Sequence, residues 1–189
     1  MNTENEVATT RKVTMRALVQ HEYGSADVLR LEDVAVPEVN DEQVLIRVKA
    51  SSANPLDWHF MRGAPVFIRL MGGLRKPKQA IRGVDVAGVV EAAGSKVDRF
   101  ARGDRVFGFA PGAFAELAVS SQDKVVHLPN GADFAAGASV PIAAITALQG
   151  LRDLGQVEPG QKVLVIGASG GVGTFAVQLA KHFGAEVTG

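Results

Sequence analysis

The chain has 189 residues, 20 basic and 20 acidic side chains and no cysteine, with 47% hydrophobic and 21% charged residues, the balance of a globular protein rather than a disordered one. Zero net charge supplies no global field for nucleic acid or an anionic membrane, and the lack of cysteine excludes disulfides, thiolate nucleophiles, iron–sulfur clusters and cysteine-ligated zinc. No apolar run approaches the roughly 20 residues that cross a bilayer, and the opening MNTENEVATTRK is too polar for a signal-peptide core. The expectation is therefore a soluble, cytoplasmic protein of one domain, or of one domain and part of another.

Residues 1–12 read as a flexible tail. Met15–Val19 and Val28–Val34 read as strands around a turn at His21–Ser25. Glu42–Ala50 alternates Val44, Ile46 and Val48 with polar or long side chains, the period of a half-buried strand. Gly88–Gly94, Asp104–Gly108 and Ala115–Val119 continue the series. Glycine, at 21 of 189 residues, exceeds the usual ~7% and permits the tight turns that such short strands need. Residues 13–130 therefore predict a compact, partly open β-barrel. From Ala132 to Leu154 the chain is rich in alanine and leucine and reads as two helices parted at Pro141. A turn at Val157–Gln161 leads into Lys162–Ile166, an apolar strand of the buried parallel type. Thr174–Phe183 is periodic as a helix, Gly184 stops it, and Ala185–Gly189 begins another strand. One strand, one helix and the start of a second strand do not bury both faces of a parallel sheet, so residues 131–189 are expected to be an unfinished, truncated α/β domain, inactive alone.

Between that strand and helix lies Gly167-Ala168-Ser169-Gly170-Gly171-Val172-Gly173. Small residues let backbone amides approach a pyrophosphate, and a helix N-terminus adds partial positive charge. The turn thus predicts dinucleotide binding through Ser169, Gly170, Gly171, Val172 and Gly173; a turn that merely packs helix on sheet is the plainer alternative. A Walker A loop would need lysine after the last glycine, and Thr174 stands there instead. The spacing Gly167-x-x-x-Gly171-x-Gly173 also resembles short-chain dehydrogenases, whose turn lies near the chain start, whereas more than 160 residues precede this one. The residue that separates NAD from NADP is due about 20 positions past the turn, where the sequence reaches Gly189.

Five motifs occur in order: Ala50-Ser51-Ser52-Ala53-Asn54-Pro55-Leu56-Asp57-Trp58, Gly83-Val84-Asp85-Val86-Ala87-Gly88-Val89-Val90, Gly103-Asp104-Arg105-Val106-Phe107-Gly108, Gly112-Ala113-Phe114-Ala115-Glu116 and the glycine turn. Together they resemble the medium-chain dehydrogenase/reductase superfamily, in its zinc-independent, quinone oxidoreductase-like branch, over essentially Met15–Gly189. The resemblance implies α+β followed by α/β: a GroES-like partly open barrel over 13–130, then the start of a Rossmann domain. It implies hydride transfer from NADP, with NAD as the other possibility, to a quinone, enone or carbonyl small molecule, and a homodimer at full length, with neither nucleic acid nor membrane as partner. Zinc-dependent relatives carry cysteine and histidine ligands near Asn54–Asp57 and Gly83–Asp85; here Asn54 stands near a ligand position, and His59 and His127 alone build no site. No metal is expected.

The resemblance places Asn54 beside the nicotinamide and its ribose, in a positioning role, and Thr146 against the cofactor. Asn54 is also a natural turn residue before Pro55, and Thr146 is equally suited to bond its own helix. Asp57 is expected to cap the helix that follows it rather than act as an acid or base; Asp85 and Asp104 are expected to fix strand and turn geometry. His59 and Arg62 lie close enough to the Asn-Pro motif for a substrate pocket, or are ordinary exposed helix residues. Tyr23, in a predicted turn, is a poor proton donor. From Arg62 to Arg82 there are six basic residues and no acid, a loop that either attracts an anionic group or is a solvated face. A non-catalytic NADPH-binding scaffold and, less so, a zinc alcohol dehydrogenase are the rival readings.

Overall fold

Alternating apolar residues pair the first strands before any helix is needed. The computed structural model describes residues 13–189, and the tail expected at 1–12 lies outside the described residues. β1 (Thr14–Gln20) and β2 (Leu29–Ala35) form an antiparallel hairpin around the expected bend and one 3-10 turn at Ala26–Val28. β3 (Gln43–Ala50), β4 (Asp85–Ala93), β5 (Arg105–Phe109), β6 (Leu117–Ser121) and β7 (Val125–His127) make a second antiparallel sheet in the order β6-β3-β4-β5-β7. β1 reaches the chain just before β6 through Leu18 N donating to Phe114 O at 2.8 Å and a bridge from Ala17 to Ala115. The sheets thus curl toward each other without closing, a partly open barrel.

The main core collects Val44, Ile46, Val86, Val90, Phe100, Val106 and Val125 inside the larger sheet. A second cluster, Met15, Leu45 and Leu117, fills the space under the hairpin. β3 therefore corrects the half-buried expectation: Leu45, on the opposite face from Val44 and Ile46, is also buried. The hairpin covers the face that simple alternation assigns to solvent.

α1 (Pro55–Arg62) and α2 (Phe67–Gly72) lie between β3 and β4. α3 (Phe134–Ser139) and α4 (Pro141–Leu148) are the two expected helices, the second opening on Pro141, and a π-type turn at Gln149–Leu154 ends that segment. Proline at the first helical position costs no hydrogen bond, since that N–H has no intrahelical partner. Then β8 (Lys162–Leu164), α5 (Gly171–His182) and β9 (Glu186–Thr188) form a βαβ unit with β8 and β9 parallel. α5 begins three residues earlier than expected and takes the last glycines into its first turn. Ala143 and Ala147 of α4 and Ala180 of α5 are buried, small side chains that let the two helices approach closely. The expected burial of Lys162–Ile166 is not found: Leu164 and Ile166 are exposed, because among the described residues only β9 pairs with β8. No helix of the described residues is long and apolar enough to cross a membrane.

Candidate functional site

Asn54 sits in extended backbone as the residue before α1, a conformation that Pro55 favours in its predecessor. The cap expected of Asp57 is corrected in its position. Asn54 occupies the cap, and Asp57, three residues into the helix, reaches back to accept the Asn54 N–H through Oδ2 at 2.9 Å. Its other oxygen, Oδ1, accepts the Gly83 N–H at 3.2 Å, so one carboxylate ties α1 to the strand leading into β4. Burial pushes the Asp57 carboxyl above its ordinary value, and the two backbone donors only partly offset this.

Asp85 is the centre of the site. Its side chain is fully buried, and three groups converge on it: Ser52 Oγ and Asn54 Nδ2 donate to Oδ2 at 2.5 and 2.8 Å, and the Ile142 N–H donates to Oδ1 at 3.0 Å. Ser51 Oγ meanwhile donates to the Asp85 carbonyl at 2.6 Å. An acid inside an apolar strand needs such partners. Sequence reasoning assigned Asp85 only local geometry. The structure shows that it joins the Asn54 loop to the first turn of α4, the helix that carries Thr146. The available signal was an acid amid Gly83–Val90, matched with the hydroxyls and amide of Ser51, Ser52 and Asn54.

Thr146 is exposed on α4, and its Oγ1 donates to the Ile142 carbonyl at 2.7 Å. That bond follows the plainer expectation for a helical threonine, and it leaves the oxygen's lone pairs free to accept. Asn54 and Thr146 are thus held on two elements with Asp85 between them. His59 and Arg62 are not brought to Asn54. They lie toward the other end of α1, which at ~1.5 Å per residue puts Arg62 about 12 Å along the axis from Asn54. His59 Nδ1 is 2.8 Å from the Ala64 carbonyl and must carry a proton there, since a carbonyl only accepts. Arg62 lies 5.1 Å from the Trp58 ring centre. Tyr23 donates to the Gly73 carbonyl at 2.5 Å, which ties a turn to α2. Asp104 accepts the Ala101 N–H at 2.8 Å, the turn role expected of it.

The glycine turn leaves β8 through Gly167 at a φ of 80°, a left-handed conformation for which glycine carries no steric cost. Gly170 N donates to Gly167 O at 3.0 Å, closing the turn so that α5 starts at once. Gly173 is buried in the first turn of α5, and a Cβ there would overlap the Gly167 carbonyl oxygen. Gly171, by contrast, faces open space: a Cβ there would have no neighbour within 4 Å. Gly170 caps α5 without any side-chain hydrogen bond, so the first amides of the helix are left for a ligand. Ser169, Gly170, Gly171 and Val172 are exposed around them. Such a cradle fits a dinucleotide pyrophosphate. Among the described residues, no three His, Cys, Asp or Glu side chains are grouped to hold a metal ion.

Comparison with known proteins agrees with this fold. Residues 40–130 match the alcohol dehydrogenase GroES-like domain. Human quinone oxidoreductase is 41% identical over 187 residues, spanning 97% of this chain and 54% of that protein. The tomato (Solanum lycopersicum) 2-methylene-furan-3-one reductase is 40% identical over 187 residues, spanning 91% of this chain and 46% of its own. The solved quinone oxidoreductase of Coxiella burnetii superposes with a TM-score of 0.83 at 35% identity, covering 93% of this chain and 56% of that one. The chain spans about half the length of the curated relatives it matches. With a GroES-like barrel leading into a βαβ unit and these identities, the chain belongs to the medium-chain dehydrogenase/reductase family, in its quinone oxidoreductase-like branch, and corresponds to the N-terminal portion of those proteins.

Proposed function

We propose that this chain is the GroES-like portion and nucleotide-binding start of a zinc-independent, NADPH-dependent oxidoreductase that reduces a quinone, enone or carbonyl, active at the full length of its relatives. The observation that carries the reading is the open N-terminus of α5, where Gly173 packs against Gly167 and leaves the amides of Gly171 and Val172 uncapped. When bound, a reduced nicotinamide supplies a hydride. Ser169 to Gly173 would hold the pyrophosphate, and Thr146, whose hydroxyl proton goes to Ile142 O, would accept at the cofactor from α4. Asn54, its amide nitrogen fixed by Asp85, orients the nicotinamide end; its role is positioning rather than proton transfer. Zinc independence rests on the residues present: the chain has no cysteine, and Asn54, near a ligand position of the zinc enzymes, is committed to Asp85. The choice of NADP over NAD, the division at residue 130, a cytoplasmic location and a homodimer at full length follow the family analogy.

The test is titration of the chain with NADPH and with NADH, followed by nucleotide fluorescence, then assay of the full-length protein on a quinone and enone panel. Saturable NADPH binding, weakened by Gly170→Asp, with NADPH consumption by the full-length form, is the expected result. Binding with no consumption across the panel would replace the enzyme with a nucleotide-binding scaffold. Activity lost to a chelator and restored by zinc would overturn zinc independence.

A further inference from the structure

Arg82 is the only basic side chain among the buried polar groups of the described residues, at 8% exposure. It enters none of the ion pairs found there. One terminal nitrogen donates to the Gln79 carbonyl, and the guanidinium lies 5.8 Å from the Phe60 ring centre. Nε has no hydrogen-bond partner among the described residues. Burial draws its pKa down, and the charges of Tyr23 and Asp57 only partly oppose this. Burying a cation without a counter-ion is costly, and guanidinium is the side chain best shaped to receive a carboxylate on two parallel N–H groups.

Arg82 and Asp57 both line a pocket of about 180 Å³ whose other walls include Leu56, Phe60, Val84 and Pro111. Asp57 is not the missing partner: its oxygens face the Asn54 and Gly83 N–H groups, and no Arg82–Asp57 ion pair forms among the described residues. Gln79 and Arg82 of the lining belong to residues 62–82, a segment that holds six basic residues and no acid; Arg75, Lys76 and Lys78 of it are exposed. The pocket is also one hydrogen-bonded carboxylate away from Asn54. We propose that this pocket binds a carboxylate-bearing small molecule, with Arg82 as the residue that selects the anionic group and the apolar walls holding the carbon skeleton. Resting on the function proposed above, this makes the substrate an unsaturated carbonyl compound that carries a carboxylate; binding of the anion itself stands on the pocket alone.

The experiment titrates the 189-residue chain, labelled with 15N, with 4-oxo-2-pentenoate and with its methyl ester, reading the Arg82 Nε–H signal and the affinity. The acid should move that signal and bind at least tenfold more tightly than the ester. Arg82→Met should bring the acid down to the ester's affinity, and Arg82→Lys, which keeps the charge but not the fork, should fall between. Equal binding of acid and ester by the unaltered chain overturns the proposal without recourse to any variant, as does an acid affinity that Arg82→Met leaves unchanged. A parallel NADPH titration separates the two readings. Acid binding without NADPH binding sinks the oxidoreductase and leaves the anion site; NADPH binding without acid preference does the reverse.

Discussion

Ile46 in β3 and Ile166 just past β8 are the same side chain in two apolar strand sequences, and they meet opposite fates: Ile46 is 0% exposed and Ile166 is 92% exposed. β3 has β4 and β6 on its two edges and the β1–β2 hairpin over its outer face. β8 has β9 on one edge, and α5 packs on β9 and α4. Burial is therefore supplied by neighbours distant in sequence, and the local apolar pattern does not report it. The sharpest way to break the comparison is to truncate both. Ile46→Ala should cost about 2–5 kcal/mol, and Ile166→Ala no more than about 0.5 kcal/mol, read from urea midpoints at constant slope. A comparable loss at Ile166 would show that its face is covered in solution.

The glycine turn sharpens the contrast from the other side, because the role proposed for it is to hold a ligand rather than to build a core. Gly173→Ala puts a methyl group onto the Gly167 carbonyl oxygen, so the turn must open. NADPH affinity should fall at least about tenfold, or roughly 1.4 kcal/mol, while the unfolding of the barrel stays where it was. If the barrel loses stability in step, the two regions unfold as one unit, and the comparison with Ile166 has to be drawn within a single cooperative structure.

The same contrast explains what was legible before the structure. The strands of the barrel were, because Val44-x-Ile46-x-Val48 and its fellows carry their own period. So was the glycine turn between β8 and α5, since a run of glycines between an apolar strand and an amphipathic helix marks a strand-to-helix turn. Leu45 was misread because the hairpin that buries it joins from residues 14–35. The helix cap was placed on Asp57 rather than Asn54 because both residue types satisfy a helix start, and only the backbone decides which precedes the first turn. Asp85 was noticed but undervalued: its link to Ile142 spans 57 positions, and no local pattern encodes that. Arg82 was one cation in a run of six, its burial invisible beside the exposed ones. His59 and Arg62 were near Asn54 in sequence, but the helix between them carries them away.

Asp57 tests the join between the barrel and the site. Asp57→Ala leaves the Asn54 and Gly83 N–H groups without acceptors and should cost about 1–3 kcal/mol, measured by denaturant unfolding at neutral pH. Asp57→Asn keeps one acceptor oxygen and should lose less. An Ala variant as stable as the original would mean that water replaces the carboxylate and that α1 is not anchored through it.

The smallest expected effect is in pH, where buried and exposed carboxylates act with opposite signs. Asp57 is raised above its ordinary 3.8, with burial as the main cause. The unfolded chain therefore gives up this proton first, and Asp57's contribution to stability declines as pH rises from about that value through its folded pKa. Glu91 is lowered from 4.5 by its hydrogen bond to Arg47, and Glu116 by bonds to the Arg16 backbone and side chain. For these the folded state releases its proton first. Their contribution is complete above 4.5 and is lost as pH falls through their folded values. Salt separates the two, because the exposed pairs are screened while a carboxyl shifted by burial is not. In unfolding curves taken from pH 3 to 7, added sodium chloride should flatten the loss on the acid side. Asp57→Asn should remove only the decline that begins near 3.8 and leave the salt-sensitive part as it was. A salt-independent acid loss would place the responsible carboxylates in the buried barrel rather than on its surface.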